Sequence, residues 1–156
     1  QPAPTTQCRR LTRDDLAAIE RLYADGAGTN ESPDFFFPSM LEEGVFVGRF
    51  VEGMLVSVAG THLVGQVAKV AAIGNVYTHR NHRRRGYAAE TTSAAILTLL
   101  RMGIERVGLN VYASNPAAQS VYRTLGFLEH CRYLEGFAVR RSPSPDQEFC
   151  GHSESR

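Results

Sequence analysis

Hydrophobic positions along the chain change their spacing several times, and each change predicts a change of secondary structure. Leu16, Ile19 and Tyr23 recur at the spacing of one helix face. Thr12 is placed to cap this first helix, and Gly26 follows its end. Hydrophobic runs at 45–51, 54–63 and 70–79 then predict three strands, the first two joined by a hairpin turn at Glu52-Gly53.

The second half of the chain predicts alternating helices and strands. The longest helix is predicted from Tyr87 to Met102, with Ala89, Thr92, Ile96, Leu99 and Leu100 on its apolar face. A strand over 106–112, a helix from Asn115-Pro116 to Leu125 and one bent strand or two over 127–140 follow. Hairpins followed by this alternation predict an α/β (α+β) fold, in which helices cover a mixed sheet.

Composition predicts one ordinary globular domain, since the 156 residues are 43% hydrophobic and 21% charged. We assign it to residues 8–141, between a flexible leader at 1–7 and a disordered tail at 142–156. A formal net charge of +1 argues against nucleic-acid partners, and the apolar runs are too short to span a membrane. The three cysteines have no metal-ligand spacing, so we expect no metal and a reducing, cytoplasmic location.

The most informative loop is Arg83-Arg84-Arg85-Gly86-Tyr87-Ala88, between a predicted strand and a predicted helix. Free N–H groups at a helix start, together with the helix dipole, bind phosphate groups. Gly86 allows the backbone to approach a ligand closely. The same arginine-rich run is also compatible with a solvated loop or a nucleic-acid patch, and the loop alone leaves these alternatives open.

A second motif makes the assignment specific. Asn115, Ala118, Tyr122, Gly126 and Phe127 match the pattern Asn-x-x-Ala-x-x-x-Tyr-x-x-x-Gly-Phe. Together with the earlier Arg-x-x-Gly-x-Ala turn, in this order, the chain resembles the GNAT superfamily of N-acetyltransferases. The resemblance implies a central mixed sheet of six to seven strands with about four helices, and acetyl-CoA as cosubstrate.

The resemblance also implies roles for individual residues. Backbone groups of Val76 and Thr78 would bind the pantetheine arm, and an N–H near Val76 or Tyr77 would stabilise the charge that develops on the thioester oxygen. The turn residues Arg83, Arg84, Arg85, Gly86, Tyr87 and Ala88 would hold the pyrophosphate, and Asn115 would contact the cofactor. Tyr122 would act as general acid toward the departing thiolate. A packing role for Tyr122 on an apolar helix stripe is the alternative.

The acceptor is an amine of a small molecule or peptide, and its identity stays open. Glu31, Asp34 and Phe35 lie in the loop that would border the acceptor in this family. These side chains could attract an amine, or the phenylalanines could simply pack the loop. Some relatives place a glutamate base where this chain has Ala72, so that type of base is missing here. The alternative function is a non-catalytic module that senses an acyl-CoA.

Overall fold

A computed structural model describes residues 8–29, 33 and 35–136 of the chain. These residues form five strands and four α-helices. The strands are β1 (Cys8–Arg10), β2 (Val47–Val51), β3 (Met54–Gly65), β4 (Val70–Thr78) and β5 (Arg106–Leu109). The helices are α1 (Leu16–Ala24), α2 (Met40–Glu43), α3 (Tyr87–Arg101) and α4 (Pro116–Thr124). The predicted leader at 1–7 and tail at 142–156 lie outside the described residues.

The strands form one mixed sheet in the order β1-β2-β3-β4-β5. The first four strands are antiparallel neighbours, whereas β5 runs parallel to β4 after the α3 crossover. One apolar cluster lies under α1 and α2, and a second lies under α3. Val58 belongs to the first cluster and the adjacent Ala59 to the second, so the clusters occupy opposite faces of the sheet. The predicted α/β architecture is therefore confirmed.

The sheet has five strands in the described residues, where six to seven were predicted. Residues 127–136 form no strand, and residues 137–140 lie outside the described part. Leu128 and Leu134 are 90% and 101% exposed, so this segment does not bury the alternating apolar positions that a paired strand needs. The predicted strand at 106–112 ends at Leu109.

The predicted hairpin turn is confirmed, and the predicted buried face of α3 is confirmed in part. Glu52 and Gly53 have φ angles of 50° and 80°, as a two-residue hairpin turn between β2 and β3 requires. The buried stripe of α3 contains Leu99 as predicted, but Leu100 is 49% exposed. The stripe instead includes Ala95 and Thr91, because these positions lie about one and two turns before Leu99. Among the helices that the structure describes, none has the length and apolarity of a membrane span.

A wedge-shaped opening lies between β4 and β5. Their pairing runs from Val70–Arg106 to Ile73–Leu109, where β5 ends. β4 continues to Thr78, and among the strands of the described residues only β3 pairs with this last part. Between the pairs Val58–Tyr77 and Gly60–Gly74, β4 carries one residue more than β3, and Asn75 has a φ of 54°. This β-bulge bends β4 at the mouth of the wedge, which we call the β4–β5 cleft.

Candidate active site

The edge of β4 in the β4–β5 cleft presents the backbone of Val76 and Thr78. Tyr77 pairs with Val58 of β3, and the N–H of His79 donates to the carbonyl of Val56 at 2.9 Å. Because backbone groups of successive strand residues point to opposite edges, Val76 and Thr78 face the cleft. The backbone N–H of Tyr77 faces β3 instead. The N–H of Val76, next to Asn75 in the bulge, therefore points toward the cleft.

Side chains fix the end of β4 to the turn that follows it. The Nε of Arg83 donates to the carbonyl of Thr78 at 3.1 Å, and its guanidinium lies 5.6 Å from the ring centroid of Tyr77. The hydroxyl oxygens of Ser57 and Thr78 share a hydrogen bond of 2.8 Å. Arg83 therefore orders the strand end, whereas the following Arg84 and Arg85 are exposed to solvent.

The turn before α3 has the backbone of an anion-binding site. Gly86 is the N-cap of α3 with a φ of 81°, and Arg84 has a φ of 60°. The N–H groups of the first helical turn have no acceptor within their own helix, and the helix dipole makes this end electropositive. A Cβ built on Gly86 meets nothing within 4 Å, so the space in front of the turn is open. A diphosphate fits these groups.

The first residues of α3 contribute backbone to this turn while their side chains pack. The guanidinium of Arg49 lies 5.0 Å from the ring centroid of Tyr87 and 3.2 Å from a carboxylate oxygen of Glu90. The ring of Tyr87 is also 6.5 Å from that of His82. Tyr87 and the half-buried Ala88 thus offer their N–H groups to a ligand, and the tyrosine ring holds the start of α3 against β2.

Tyr122 lies on α4, which packs against α3. Its side chain is half-buried beside Phe127, with ring centroids 5.9 Å apart. Burial raises the pKa of the Tyr122 phenol, so the hydroxyl keeps its proton at neutral pH. Asn115 caps the same helix, where its Oδ1 accepts a hydrogen bond from the N–H of Ala118 at 3.0 Å. The helix start is therefore fixed by the residue that sequence analysis assigned to the cofactor.

The end of α1 holds β4 from the other face of the sheet. The hydroxyl of Tyr23 donates to the carbonyl of Asn75 at 2.9 Å. The carboxylate of Asp25 accepts hydrogen bonds from the Tyr77 hydroxyl and from the N–H of Arg80, both at 2.9 Å. Asp25 therefore joins the end of β4 to the segment that follows it, and hydrogen bonds occupy its carboxylate.

His79 is part of the same anchor. Its Nδ1 accepts a hydrogen bond from the N–H of Asn81 at 3.2 Å, and its Nε2 lies 3.5 Å from the carboxylate of Asp25. Both ring nitrogens are thus engaged, and the geometry favours a structural role for His79 over that of a general base.

The aromatic loop before α2 is the segment in which the sequence predicts the acceptor-binding residues. Glu31 and Asp34, predicted to bind the acceptor, lie outside the described residues. Phe35 is 55% exposed, and its ring centroid is 5.1 Å from that of Phe37 and 5.7 Å from that of His62. Phe36 instead packs into the core against Tyr23 and Phe46. Phe36 therefore packs against the core, whereas Phe35 and Phe37 are exposed.

Comparison with known proteins agrees with this geometry. The chain matches the Acetyltransferase (GNAT) family model across residues 11–127. The protein belongs to the GNAT acetyltransferase family. The matched residues include the anchor at the end of α1, the β4–β5 cleft, the turn before α3 and all of α4.

Relatives in the GNAT family have acceptors of different chemistry. N-alpha-acetyltransferase 30 of Schizosaccharomyces pombe is 28% identical over 124 residues, which cover 80% of this chain and 75% of the relative. An aminoglycoside acetyltransferase from an uncultured soil metagenomic sample, solved with sisomicin, gives a TM-score of 0.70 at 14% identity, over 86% of this chain and 95% of that one. Ribosomal-protein-alanine N-acetyltransferase of Brucella melitensis gives 0.67 at 18% identity, over 80% and 85%. The two structures share the fold, and fold alone does not choose an acceptor.

Sequence analysis missed two residues of this GNAT site. Asp25 is not among the residues that the sequence singles out, because its partners Tyr77 and Arg80 are more than 50 positions away. Asn75 was treated as an ordinary strand residue. A polar residue after Gly74 inside an apolar strand is a bulge signal that could have identified it.

We expect Asp25→Asn to destabilise the fold by about 1–3 kcal/mol at pH 7, since the Tyr77 hydroxyl and the backbone N–H and Nε of Arg80 would lose a charged acceptor. Burial raises the pKa of Asp25, but the N–H of Arg80, the Tyr77 hydroxyl and the nearby His79 and Arg80 together hold it below its ordinary value of 3.8. The extra free energy of unfolding that the carboxylate gives the parent is therefore present above pH 3.8, and it is lost as the pH falls through the lowered pKa.

Urea denaturation of parent and variant at pH 7, 5 and 3 measures this effect. Asp14→Asn is the matched control, because Asp14 is exposed near the other end of α1. Equal losses of stability for the two variants at pH 7 would show that Asp25 does not anchor β4.

Proposed function

We propose that this GNAT protein transfers an acetyl group from acetyl-CoA to a primary amine. The observation that carries the proposal is the continuity of the open edge of β4 with the turn before α3. The cleft offers the backbone of Val76 and Thr78 to an extended arm, and the turn at Gly86 lies directly beyond it. An elongated ligand with an amide-rich arm and a diphosphate matches this sequence of groups.

The residues of the cleft suggest how the reaction is assisted. Bound acetyl-CoA supplies a thioester whose carbonyl carbon is attacked by the amine and whose thiolate departs. The N–H of Val76 is directed into the cleft, where it can donate a hydrogen bond to a carbonyl oxygen that gains negative charge. Tyr122 keeps a proton on its phenolic oxygen, which suits a donor to a thiolate. We assign the general-acid role to Tyr122 on this basis.

The acceptor best supported is the α-amino group of a peptide or protein. β4 has no acidic residue from Val70 to Thr78, and Ala72 occupies the position of the glutamate base in some relatives. An α-amine has a pKa of about 7.7–8.0, whereas a lysine amine has one of about 10.4, so the α-amine is far more often neutral without help. The similarity to an N-alpha-acetyltransferase is consistent with this choice.

An acceptor screen tests the proposal. Acetyl-CoA is offered with peptides that have free N-termini, with N-terminally blocked lysine peptides and with sisomicin, and both thiol release and the mass of the product are recorded. We expect the free N-terminal peptides to gain one acetyl group. Tight binding of acetyl-CoA without transfer to any amine would instead favour the non-catalytic sensor.

We also expect turnover to follow the protonation of the acceptor. If no carboxylate takes the proton, the rate with an N-terminal peptide rises with pH through about 8. The rate with a lysine peptide rises at a pH about two units higher. The measurement is turnover per cofactor-saturated enzyme from pH 5.5 to 9.5. A plateau reached by pH 6 with both acceptors, and removed by changing Glu31 or Asp34, would reveal a dedicated base.

A further inference from the structure

The side-chain carboxamide of Asn75 has an oxygen whose hydrogen-bonding role the fold does not explain. The residue lies in the bulge of β4 and is 5% exposed, and its Oδ1 has no hydrogen-bond partner among residues 8–29, 33 and 35–136. A buried carboxamide oxygen without a donor is unfavourable, and native structures contain few of them. A ligand that brings an N–H or O–H donor would satisfy it.

Backbone conformation alone does not account for this side chain. Asparagine tolerates the φ of 54° that the bulge requires, but glycine would adopt it with less strain. The carbonyl of Asn75 is held by the Tyr23 hydroxyl at 2.9 Å, and its Nδ2 lies 3.7 Å from the Sδ of Met40. These contacts fix the residue, and within the described part of the chain they leave Oδ1 without a donor.

One neighbour of Asn75 also borders a cavity on the α2 side of the sheet. Met40, which contacts the carboxamide, also lines a cavity of about 150 Å³ together with Glu43 and His62. The ring of His62 lies over Gly74, where a Cβ would come within 2.3 Å of it. Asn75 thus lies in sequence between Gly74, which His62 covers, and Val76, whose N–H faces the cleft.

We propose that Asn75 positions the acceptor amine, with Oδ1 accepting a hydrogen bond from the amino nitrogen. This inference rests on the proposed acetyl transfer and names a residue that acts on the acceptor. A neutral carboxamide can bind an N–H of the uncharged amine, which is the form that attacks the thioester. A carboxylate in this place would favour the protonated, unreactive form. Asn75 is a positioning residue, and no proton is transferred to it.

The test compares Asn75→Gly with the parent, using a free N-terminal peptide acetylated by the parent. Glycine keeps the bulge, so acetyl-CoA affinity and melting temperature should stay near those of the parent. Loss of one hydrogen bond should raise the acceptor KM by about tenfold, with kcat changed by less than about threefold. Calorimetry of the same peptide with coenzyme A-bound enzyme should show a matching loss of affinity.

Two further variants separate positioning from structure. Glu52→Gly is the matched control, because Glu52 also has a positive φ of 50° but lies in the exposed β2–β3 hairpin. It should leave the acceptor KM unchanged. Asn75→Asp keeps an acceptor oxygen but favours the protonated amine, so its turnover at pH 7 should fall below that of the parent and recover as the pH rises.

An acceptor KM for Asn75→Gly equal to that of the parent would overturn the inference. A parallel loss of acetyl-CoA affinity would overturn it as well, since it would show that the residue only shapes the bulge. A parent enzyme that acetylates none of the amines would refute the proposed function itself, an outcome distinct from either of these.

Discussion

Replacing Gly86 with valine is expected to weaken the binding of acetyl-CoA by about 100-fold or more, which corresponds to two lost hydrogen bonds to a charged group at about 1.5–3 kcal/mol each. Gly86 has a φ of 81° and faces open space. A β-branched residue disfavours this backbone conformation and would fill the space in front of the first-turn N–H groups of α3. Isothermal calorimetry with acetyl-CoA measures the effect directly.

Gly103→Val is the matched control for this prediction. Gly103 lies beyond the other end of α3, has a φ of 85° and also has no atom within 4 Å of a built Cβ. Both variants carry the backbone strain of a left-handed position, about 1–2 kcal/mol, so both should lose similar stability in thermal unfolding. Only Gly86→Val should lose the ligand. If both folded variants bind acetyl-CoA as the parent does, the turn before α3 is not the phosphate site.

The features that could be predicted from sequence are those that neighbouring residues decide. The hairpin at Glu52-Gly53 and the capping of α4 by Asn115 each depend on a few consecutive positions. The turn at Gly86 follows the same rule, because a glycine between a strand and a helix can adopt the positive φ that this position has. Helix and strand order followed from hydrophobic spacing.

The features that sequence reasoning missed depend on contacts between distant positions. The bonds of Asp25 to Tyr77 and Arg80 join residues more than 50 positions apart, so the spacing of residues along α1 gives no sign of them. The length of β5 is decided by where β4 bends away at Asn75, and the local apolar pattern overestimated it. The absence of a strand from the described residues 127–136 has a similar origin, since a strand requires a partner edge as well as an apolar pattern.

Tyr122→Phe is expected to lower turnover by about 10- to 10³-fold, near the usual contribution of a positioned acid. The variant removes one oxygen and keeps the ring that packs against Phe127. Acetyl-CoA affinity should be unchanged, and stability should change by less than about 1 kcal/mol if the hydroxyl has no structural partner. Transfer kinetics under saturating acetyl-CoA, together with calorimetry, separate these effects.

Tyr112→Phe supplies the comparison for Tyr122, because it deletes a hydroxyl from a side chain that is 70% exposed. It should retain the parent's turnover. The pKa of Tyr122 is raised by burial, so the phenol stays protonated from pH 6 to pH 9 and the ratio of parent to Tyr122→Phe turnover should stay constant across this range. Any rise of the rate with pH then comes from deprotonation of the acceptor amine. Equal turnover of parent and Tyr122→Phe would return Tyr122 to a packing role, and the thiolate would have to leave without a proton from this residue.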